Sequence, residues 1–202
     1  MGILKRVAKA VFNEVSKPKS FAKGEEFEQY IRDYIFTEEH YYLEHRSHDY
    51  STNRTDYVAD SLDPDFVFVS VKGKKMFFVE AKYRSHFYED AVEWCKPYQL
   101  KRYKEANKDL PVFIALGVEG TPDMPEHLYV FPVKHTKYPK LFKSVLRKSE
   151  VELDNPISIS KLWKMLWPKV LKQYPVLGFL DRLNMIYQDN DLTLEQLAEI
   201  EM

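Results

Sequence analysis

The sequence predicts an α/β (α+β) fold in which a mixed β-sheet is flanked by helices. Two apolar runs, 66–69 (FVFV) and 76–79 (MFFV), lie on either side of the turn segment 72–75 (KGKK) and predict a β-hairpin. A third apolar run, 111–118, is bounded by Pro and Gly and predicts a central strand. Segments with helical spacing lie before and after these strands, so helices should flank the sheet.

Three elements are predicted before the hairpin. Residues 3–15 have helical spacing with a basic face, and Pro18 ends this helix. Residues 40–46 alternate as a strand does, and the polar segment 47–63 predicts a loop. A second helix should run from Lys23 to about Phe36, with a buried stripe of five residues: Phe27, Tyr30, Ile31, Tyr34 and Ile35.

The elements after the hairpin are less regular. A helix is predicted over 87–107, kinked or split at Pro97. Residues 128–133 predict a strand that Pro132 restricts to an edge. From Tyr138 onward the pattern predicts helices, which are interrupted at Pro156, Pro168 and Pro175 and end with a helix whose capping box pairs Thr193 and Gln196.

The chain length suits one compact domain with appendages. At 202 residues and 24.1 kDa there is little room for a second complete domain. The expected organisation is an amphipathic helix over 1–20, a core over 21–150 and a helical extension over 151–202.

Composition limits the classes of protein. The single cysteine, Cys95, excludes an intramolecular disulfide and a cysteine-based zinc site within the chain. No apolar run reaches the roughly 18 residues of a membrane span, and the N-terminus lacks the apolar core of a secretory signal. We therefore expect a cytoplasmic protein.

Charge is unevenly distributed although the net charge is only −1. Residues 24–65 carry twelve acidic and three basic side chains, whereas 66–148 carry sixteen basic and nine acidic ones. An acidic block followed by a basic block is what a metal site beside a phosphate-binding surface requires, although uneven solvated faces produce the same pattern.

Three charged residues should converge at one end of the hairpin. Asp65 precedes the first strand, and Glu80 and Lys82 end the second, separated by Ala81. Antiparallel pairing brings these two strand ends together, and alternation places Glu80 and Lys82 on one face. Two carboxylates and a backbone carbonyl suit Mg²⁺, and a nearby ammonium suits hydrolysis of a phosphodiester.

The segments Pro64-Asp65 and Glu80-Ala81-Lys82 resemble the signature of PD-(D/E)XK nucleases. The resemblance implies a restriction-endonuclease-like core and a DNA-cleaving activity that depends on Mg²⁺, with Mn²⁺ able to substitute. It implies that Asp65, Glu80 and the Ala81 carbonyl hold the metal and that Lys82 assists catalysis.

Further residues match the same resemblance. The helix segment around Glu28 resembles the family's first helix, whose acidic residue supports the metal site. Gln99 and Tyr103 resemble the Q-x-x-x-Y motif of RecB-like members and share one helix face, so both could contact the nucleic acid or the catalytic lysine. Arg84 and Lys101 are the basic residues expected to contact nucleic acid.

Each of these residues also has a purely structural interpretation. Asp65 could be a turn residue, with Asp60 and Asp63 as rivals. Glu80 and Lys82 could form an exposed pair on an edge strand, and Glu28 could belong to a solvated face with its acidic neighbours. Tyr103 could be a packed core residue. The cationic stretches 96–108 and 134–148 could contact phosphate and stack on bases, or could be solvent-facing sides of helices.

The sequence thus predicts a DNA-cleaving enzyme, with RNA as an open alternative substrate. A second hypothesis is a catalytically inactive nuclease fold that binds nucleic acid or acts as a scaffold. The terminal helices could mediate a homodimer or bind a protein partner, and the basic helix over 3–15 could bind an anionic membrane surface.

Overall fold

The computed structural model describes residues 19–46 and 64–166 of the chain. Its strands are β1 (Tyr41–Arg46), β2 (Phe66–Ser70), β3 (Met76–Arg84), β4 (Ala91–Glu93), β5 (Val112–Thr121), β6 (Met124–Pro132) and β7 (Lys140–Phe142). Its helices are α1 (Lys19–Tyr30), which continues as a π-helical turn (Ile31–Ile35), α2 (Pro97–Ala106), α3 (Lys143–Leu146) and α4 (Ile159–Leu166). The predicted helix over 3–15, the loop over 47–63 and the helices beyond Pro168 lie outside the described residues.

Five strands form the main sheet in the order β1-β2-β3-β5-β6. β3 and β5 are parallel, and the other neighbouring strands are antiparallel. Apolar side chains of α1 and α4 pack on one face of this sheet, and those of α2 pack on the other. The structure therefore confirms the predicted fold class, a mixed sheet flanked by helices.

The predicted hairpin is present as β2 and β3. Its register runs from Phe66 opposite Val79 to Val69 opposite Met76, and its turn contains Gly73 in the left-handed region, with φ of 80°. β3 continues two residues past the predicted end at Lys82, because its parallel pairing with β5 extends to Arg84. The pairing with β5 places the charged end of β3 inside the sheet.

The first described helix follows the predicted stripe except at Tyr34, whose predicted burial is wrong: its side chain is 47% exposed. The backbone N–H of Phe36 donates to the Ile31 carbonyl at 2.8 Å, five residues back, so this turn is wider than an α-helical one. The wider turn rotates Tyr34 toward solvent, where its ring contacts Tyr30 at 5.3 Å.

The predicted helix over 87–107 is correct only from Pro97 onward. Residues Ala91–Glu93 are instead a short strand, β4, that pairs with β7. Glu89 and Asp90 have positive φ, which prevents a helix before β4, and Pro97 occupies the first position of α2. The strand β7 was not predicted either, because the pattern from Tyr138 indicated helix.

The edge strand and the helices after it complete the core. β6 ends at Pro132 on the edge of the sheet, as predicted. Trp163 of α4 packs edge-on against Phe77, with ring centroids 5.9 Å apart, and the Tyr41 hydroxyl donates to the Ile157 carbonyl at 2.6 Å. No helix within the described ranges is long and apolar enough to cross a lipid bilayer.

Gly117 allows α1 to approach β5 closely. A Cβ atom at this position would lie 2.4 Å from Cε2 of Phe27, a ring that is only 1% exposed. Gly117→Ala is therefore expected to lower the free energy of unfolding by about 1–3 kcal/mol, since the ring must shift in a packed core.

The matched control is Gly24→Ala. No atom lies within 4 Å of a Cβ at Gly24, so alanine in this helix should raise the free energy of unfolding by about 0.5–1 kcal/mol. Urea denaturation followed by circular dichroism measures both changes. Equal stability of Gly117→Ala and the wild type would contradict the close packing of Phe27.

Candidate active site

The end of the hairpin brings Asp65, Glu80, Ala81 and Lys82 together. The Ala81 backbone N–H donates to Oδ2 of Asp65 at 2.8 Å, so the carboxylate lies directly against the end of β3. Alternation along β3 directs Ala81 toward α1 and directs Glu80 and Lys82 toward α2. The arrangement follows from the hairpin register and from the apolar residues that precede Glu80.

Glu80 is the most buried charged residue of this group, with 1% of its surface exposed. Its Oε1 accepts a hydrogen bond of 2.6 Å from the Tyr103 hydroxyl and forms an ion pair with Nζ of Lys82. Its Oε2 is also buried and accepts no hydrogen bond from any residue in the ranges 19–46 and 64–166. One oxygen of this carboxylate is thus fully used and the other is not.

Electrostatics at the site favour a charged lysine and a protonated tyrosine. Burial by itself lowers the pKa of Lys82, but the negative charges of Glu80 and Asp65 raise this pKa above its ordinary value. Burial and the charge of Glu80 raise the pKa of Tyr103, so its phenol remains a hydrogen-bond donor. Burial and then the charge of Glu80 raise the pKa of Asp65.

Glu28 lies near this group but is bound to another residue. Its charge contributes to the raised pKa of Asp65, which shows that α1 brings it to the same end of the sheet. Its Oε2 accepts a hydrogen bond of 2.7 Å from the Arg46 guanidinium at the end of β1. Glu28 therefore links α1 to the edge strand beside the site.

The residues of the Q-x-x-x-Y segment make different contacts in the structure. Tyr103 reaches Glu80, as described above. Oε1 of Gln99 instead accepts a hydrogen bond of 2.9 Å from the backbone N–H of Lys96 and caps the start of α2. Lys101 is exposed on the same helix, and no described contact joins it to Glu80 or Asp65.

Arg84 is held by backbone carbonyls. Its guanidinium donates to the carbonyls of Glu93 at 2.8 Å, Tyr83 at 2.8 Å and Trp94 at 2.5 Å. These bonds join the end of β3 to β4 and to the segment before α2. The side chain predicted to contact phosphate thus has a structural function in this arrangement.

Two contributors to the site were not anticipated from the sequence. Trp94 is fully buried and its ring stacks on that of Tyr103, with centroids 6.0 Å apart, so it positions the phenol that binds Glu80. Arg46 pairs with Glu28 as described. A basic residue at the end of a predicted strand, facing a predicted acidic helix, was a usable signal for the second contact.

The residues present suit a divalent cation. A buried carboxylate oxygen without a donor, beside a second carboxylate with a raised pKa, is an arrangement that a positive charge would stabilise. The N–H and C=O groups of a strand residue point to the same side, so the Ala81 carbonyl faces the Asp65 side of β3. Within the described ranges no three His, Cys, Asp or Glu side chains form a metal-binding cluster by themselves, so the candidate ligands are Asp65, Glu80 and this carbonyl.

Comparison with known proteins adds little to the site. The chain matches no protein-family model and no curated protein. Among solved structures it is similar to Hjc, a Holliday junction resolvase from the archaeal hyperthermophile Archaeoglobus fulgidus, with 15% sequence identity and a TM-score of 0.36. The alignment covers 55% of this chain and 81% of Hjc. Similarity of this extent does not assign an activity to the chain.

Asp65→Asn is expected to stabilise the protein in the absence of divalent cations. Below about pH 3 the carboxyl is mostly protonated in both folded and unfolded chains. The pKa of this carboxyl is raised from 3.8 to about 8 in the folded chain. Between these two pH values the unfolded chain releases the proton while the folded chain keeps it, so the free energy of unfolding falls as the pH rises. The asparagine can still accept the Ala81 N–H bond but carries no charge.

The expected result is a melting temperature that exceeds the wild-type value by a few degrees at pH 8, with the difference vanishing below about pH 3. Thermal unfolding in EDTA across this pH range measures it, with the exposed Asp109→Asn as the control. A variant that is less stable than the wild type at pH 8 would contradict this expectation and would show that the ionised Asp65 carboxylate stabilises the fold.

Proposed function

We propose that this chain is a metal-dependent nuclease that hydrolyses DNA phosphodiester bonds at the group formed by Asp65, Glu80 and Lys82. The observation that carries the proposal is the state of Glu80, whose Oε2 is buried without a hydrogen bond from the described residues. An unsatisfied buried acceptor costs about 1–3 kcal/mol, and more when it is charged. A bound cation would offset this cost.

Mg²⁺ is the ion that best suits oxygen ligands of this kind, and Mn²⁺ is expected to substitute for it. Asp65, Glu80 and the Ala81 carbonyl would hold the ion, with Glu28 supporting the site from α1. When bound, such an ion would lower the pKa of a water molecule and attract a phosphate oxygen.

The protein's own residues supply positioning and charge. Lys82 remains positively charged because Glu80 and Asp65 raise its pKa, so its ammonium can orient the attacking water or stabilise negative charge that develops on the phosphate. Tyr103 fixes the rotamer of Glu80 through a 2.6 Å hydrogen bond. Both contacts come from a strand and a helix, which hold side chains more precisely than loops do.

DNA is proposed as the substrate because the Asp65, Glu80 and Lys82 pattern resembles DNA-cleaving enzymes. The same chemistry would cleave RNA, which the test must therefore include. Whether cleavage is internal or terminal follows from the products of that test.

A second function, binding or scaffolding without cleavage, is favoured by one observation. Lys82 pairs directly with Glu80, and this contact partly neutralises the carboxylate without a metal ion. In that case the charged group would be a structural unit, and the protein would bind nucleic acid or a partner through other surfaces.

The decisive assay incubates supercoiled plasmid, linear duplex, single-stranded DNA and RNA with the protein and Mg²⁺ or Mn²⁺. Wild-type protein should cleave at least one form, and chelation should abolish the cleavage. Glu80→Gln and Lys82→Met should each reduce the rate by about 100- to 1000-fold, because each removes a charge from the reacting centre.

The matched control is Glu105→Gln, which makes the same chemical change at an exposed residue of α2 that forms an ion pair with Lys108. It should cleave at the wild-type rate. If folded wild-type protein cleaves none of these nucleic acids, or if Glu80→Gln cleaves as fast as Glu105→Gln, the nuclease assignment fails and the scaffold function is favoured.

A further inference from the structure

A large apolar groove lies between the end of β6, the strand β7 and the helices α3 and α4. Its volume is about 1000 Å³. Apolar side chains form most of its lining, among them Phe131, Leu141, Leu146 and Met165. It does not include Asp65, Glu80 or Lys82 and is therefore separate from the candidate active site.

The rim of this groove is strongly basic. Five lysines line it: Lys137, Lys140, Lys148, Lys161 and Lys164. No acidic side chain of the described residues lines it. In the sequence, 134–149 contains six lysine or arginine residues and no acidic one. A chain with a net charge of −1 thus concentrates positive charge on one face, which favours an anionic ligand.

Two aromatic rings stand between these lysines with much of their surface in solvent. Tyr138 is 67% exposed and Phe142 is 56% exposed. Exposed aromatic rings among lysines are the arrangement that binds unpaired bases, because the rings stack on the bases while the ammonium groups contact the phosphates. Paired bases are stacked within a duplex and do not present their faces to such rings.

The backbone that carries the rings is anchored to the core. The Tyr138 carbonyl accepts a hydrogen bond of 3.2 Å from the indole N–H of Trp94, and the Pro139 carbonyl accepts one of 3.0 Å from its backbone N–H. Phe142 lies in β7, which pairs with β4. The rings are therefore displayed on a fixed support, which reduces the entropy lost on binding.

Trp94 contacts one residue of the groove and one residue of the candidate active site. Its ring packs edge-on against Phe131 on the groove floor, with centroids 5.7 Å apart. The same ring stacks on Tyr103, whose hydroxyl binds Glu80. Trp94 therefore connects a residue that lines the groove to the tyrosine that positions the carboxylate.

We propose that this groove binds a single-stranded segment of nucleic acid, with bases stacked on Tyr138 and Phe142 and phosphates bound by the surrounding lysines. The proposal rests on the proposed nuclease function in that the bound strand would be part of the substrate. It implies a preference for substrates with unpaired regions, such as tails, flaps or gaps.

The test is a binding titration in EDTA, so that it does not depend on cleavage. Fluorescence anisotropy follows a labelled oligodeoxythymidylate and a blunt duplex of equal length at several salt concentrations. The double variant Tyr138→Ala, Phe142→Ala retains all charges and should weaken oligodeoxythymidylate binding about tenfold or more. Its binding to the duplex should be nearly unchanged.

A triple variant measures the phosphate contacts. Replacing Lys137, Lys140 and Lys148 with Gln should reduce the slope of log K against log salt by about 2 for the single strand. Two controls match these changes outside the groove: Tyr42→Ala, at an aromatic residue that is 51% exposed on β1, and the triple replacement of Lys72, Lys74 and Lys75 in the hairpin turn by Gln. Circular dichroism verifies that each variant is folded.

Losses confined to the groove variants support the proposal, and they would support it even if the cleavage assay failed. Equal losses in the groove variants and their controls would indicate diffuse electrostatic attraction and would overturn it. Unchanged affinity of the double variant for oligodeoxythymidylate would also overturn the proposal. The groove would then be a candidate binding site for a protein segment from a partner or from a second copy of the chain.

Discussion

The burial of one carboxylate in an otherwise apolar sheet is the constraint on which the rest of the structure depends. An isolated charge in such a place costs several kcal/mol, and Glu80 is 1% exposed. Lys82 and Tyr103 compensate at one oxygen of Glu80, the first from the same strand and the second from α2. Because the phenol must reach this carboxylate, α2 lies across β3 and β5, and Trp94 fills the space behind it.

The same constraint accounts for the contacts around the site. Arg84 uses its guanidinium to bind carbonyls of β4 and of the following segment, which holds the chain that leads into α2. On the other side, Glu28 and Arg46 join α1 to the edge strand. The group of Asp65, Glu80 and Lys82 is thus supported from both faces of the sheet. Such a support is what a site needs if its side chains are to keep one geometry while a ligand binds.

Much of this arrangement could be predicted because it depends on local pattern. The apolar runs and their turn define the hairpin, and alternation then places Glu80 and Lys82 on one face. The strands β4 and β7 could not be predicted, because each has three residues and exists only through pairing across about fifty positions of sequence. The hydrogen bonds of Arg84 could not be predicted for the same reason: alternation places it on the face of Lys82, but two of its acceptors, Glu93 and Trp94, lie in or directly after the unpredicted strand β4. Gln99 shows the opposite case, since its side-chain oxygen takes part in a purely local cap at the start of α2.

The central claim is that Asp65 and Glu80 form a binding site for a divalent cation. Isothermal titration of Mn²⁺ into wild-type protein near pH 8, without nucleic acid, tests it most directly. The account predicts one saturable binding event that is lost in Glu80→Gln and retained in Glu105→Gln, and that weakens as the pH falls because Asp65 must lose its proton to bind the ion. If wild-type protein binds no Mn²⁺, or if Glu80→Gln binds it equally well, the buried carboxylate has only a structural function and the claim is wrong.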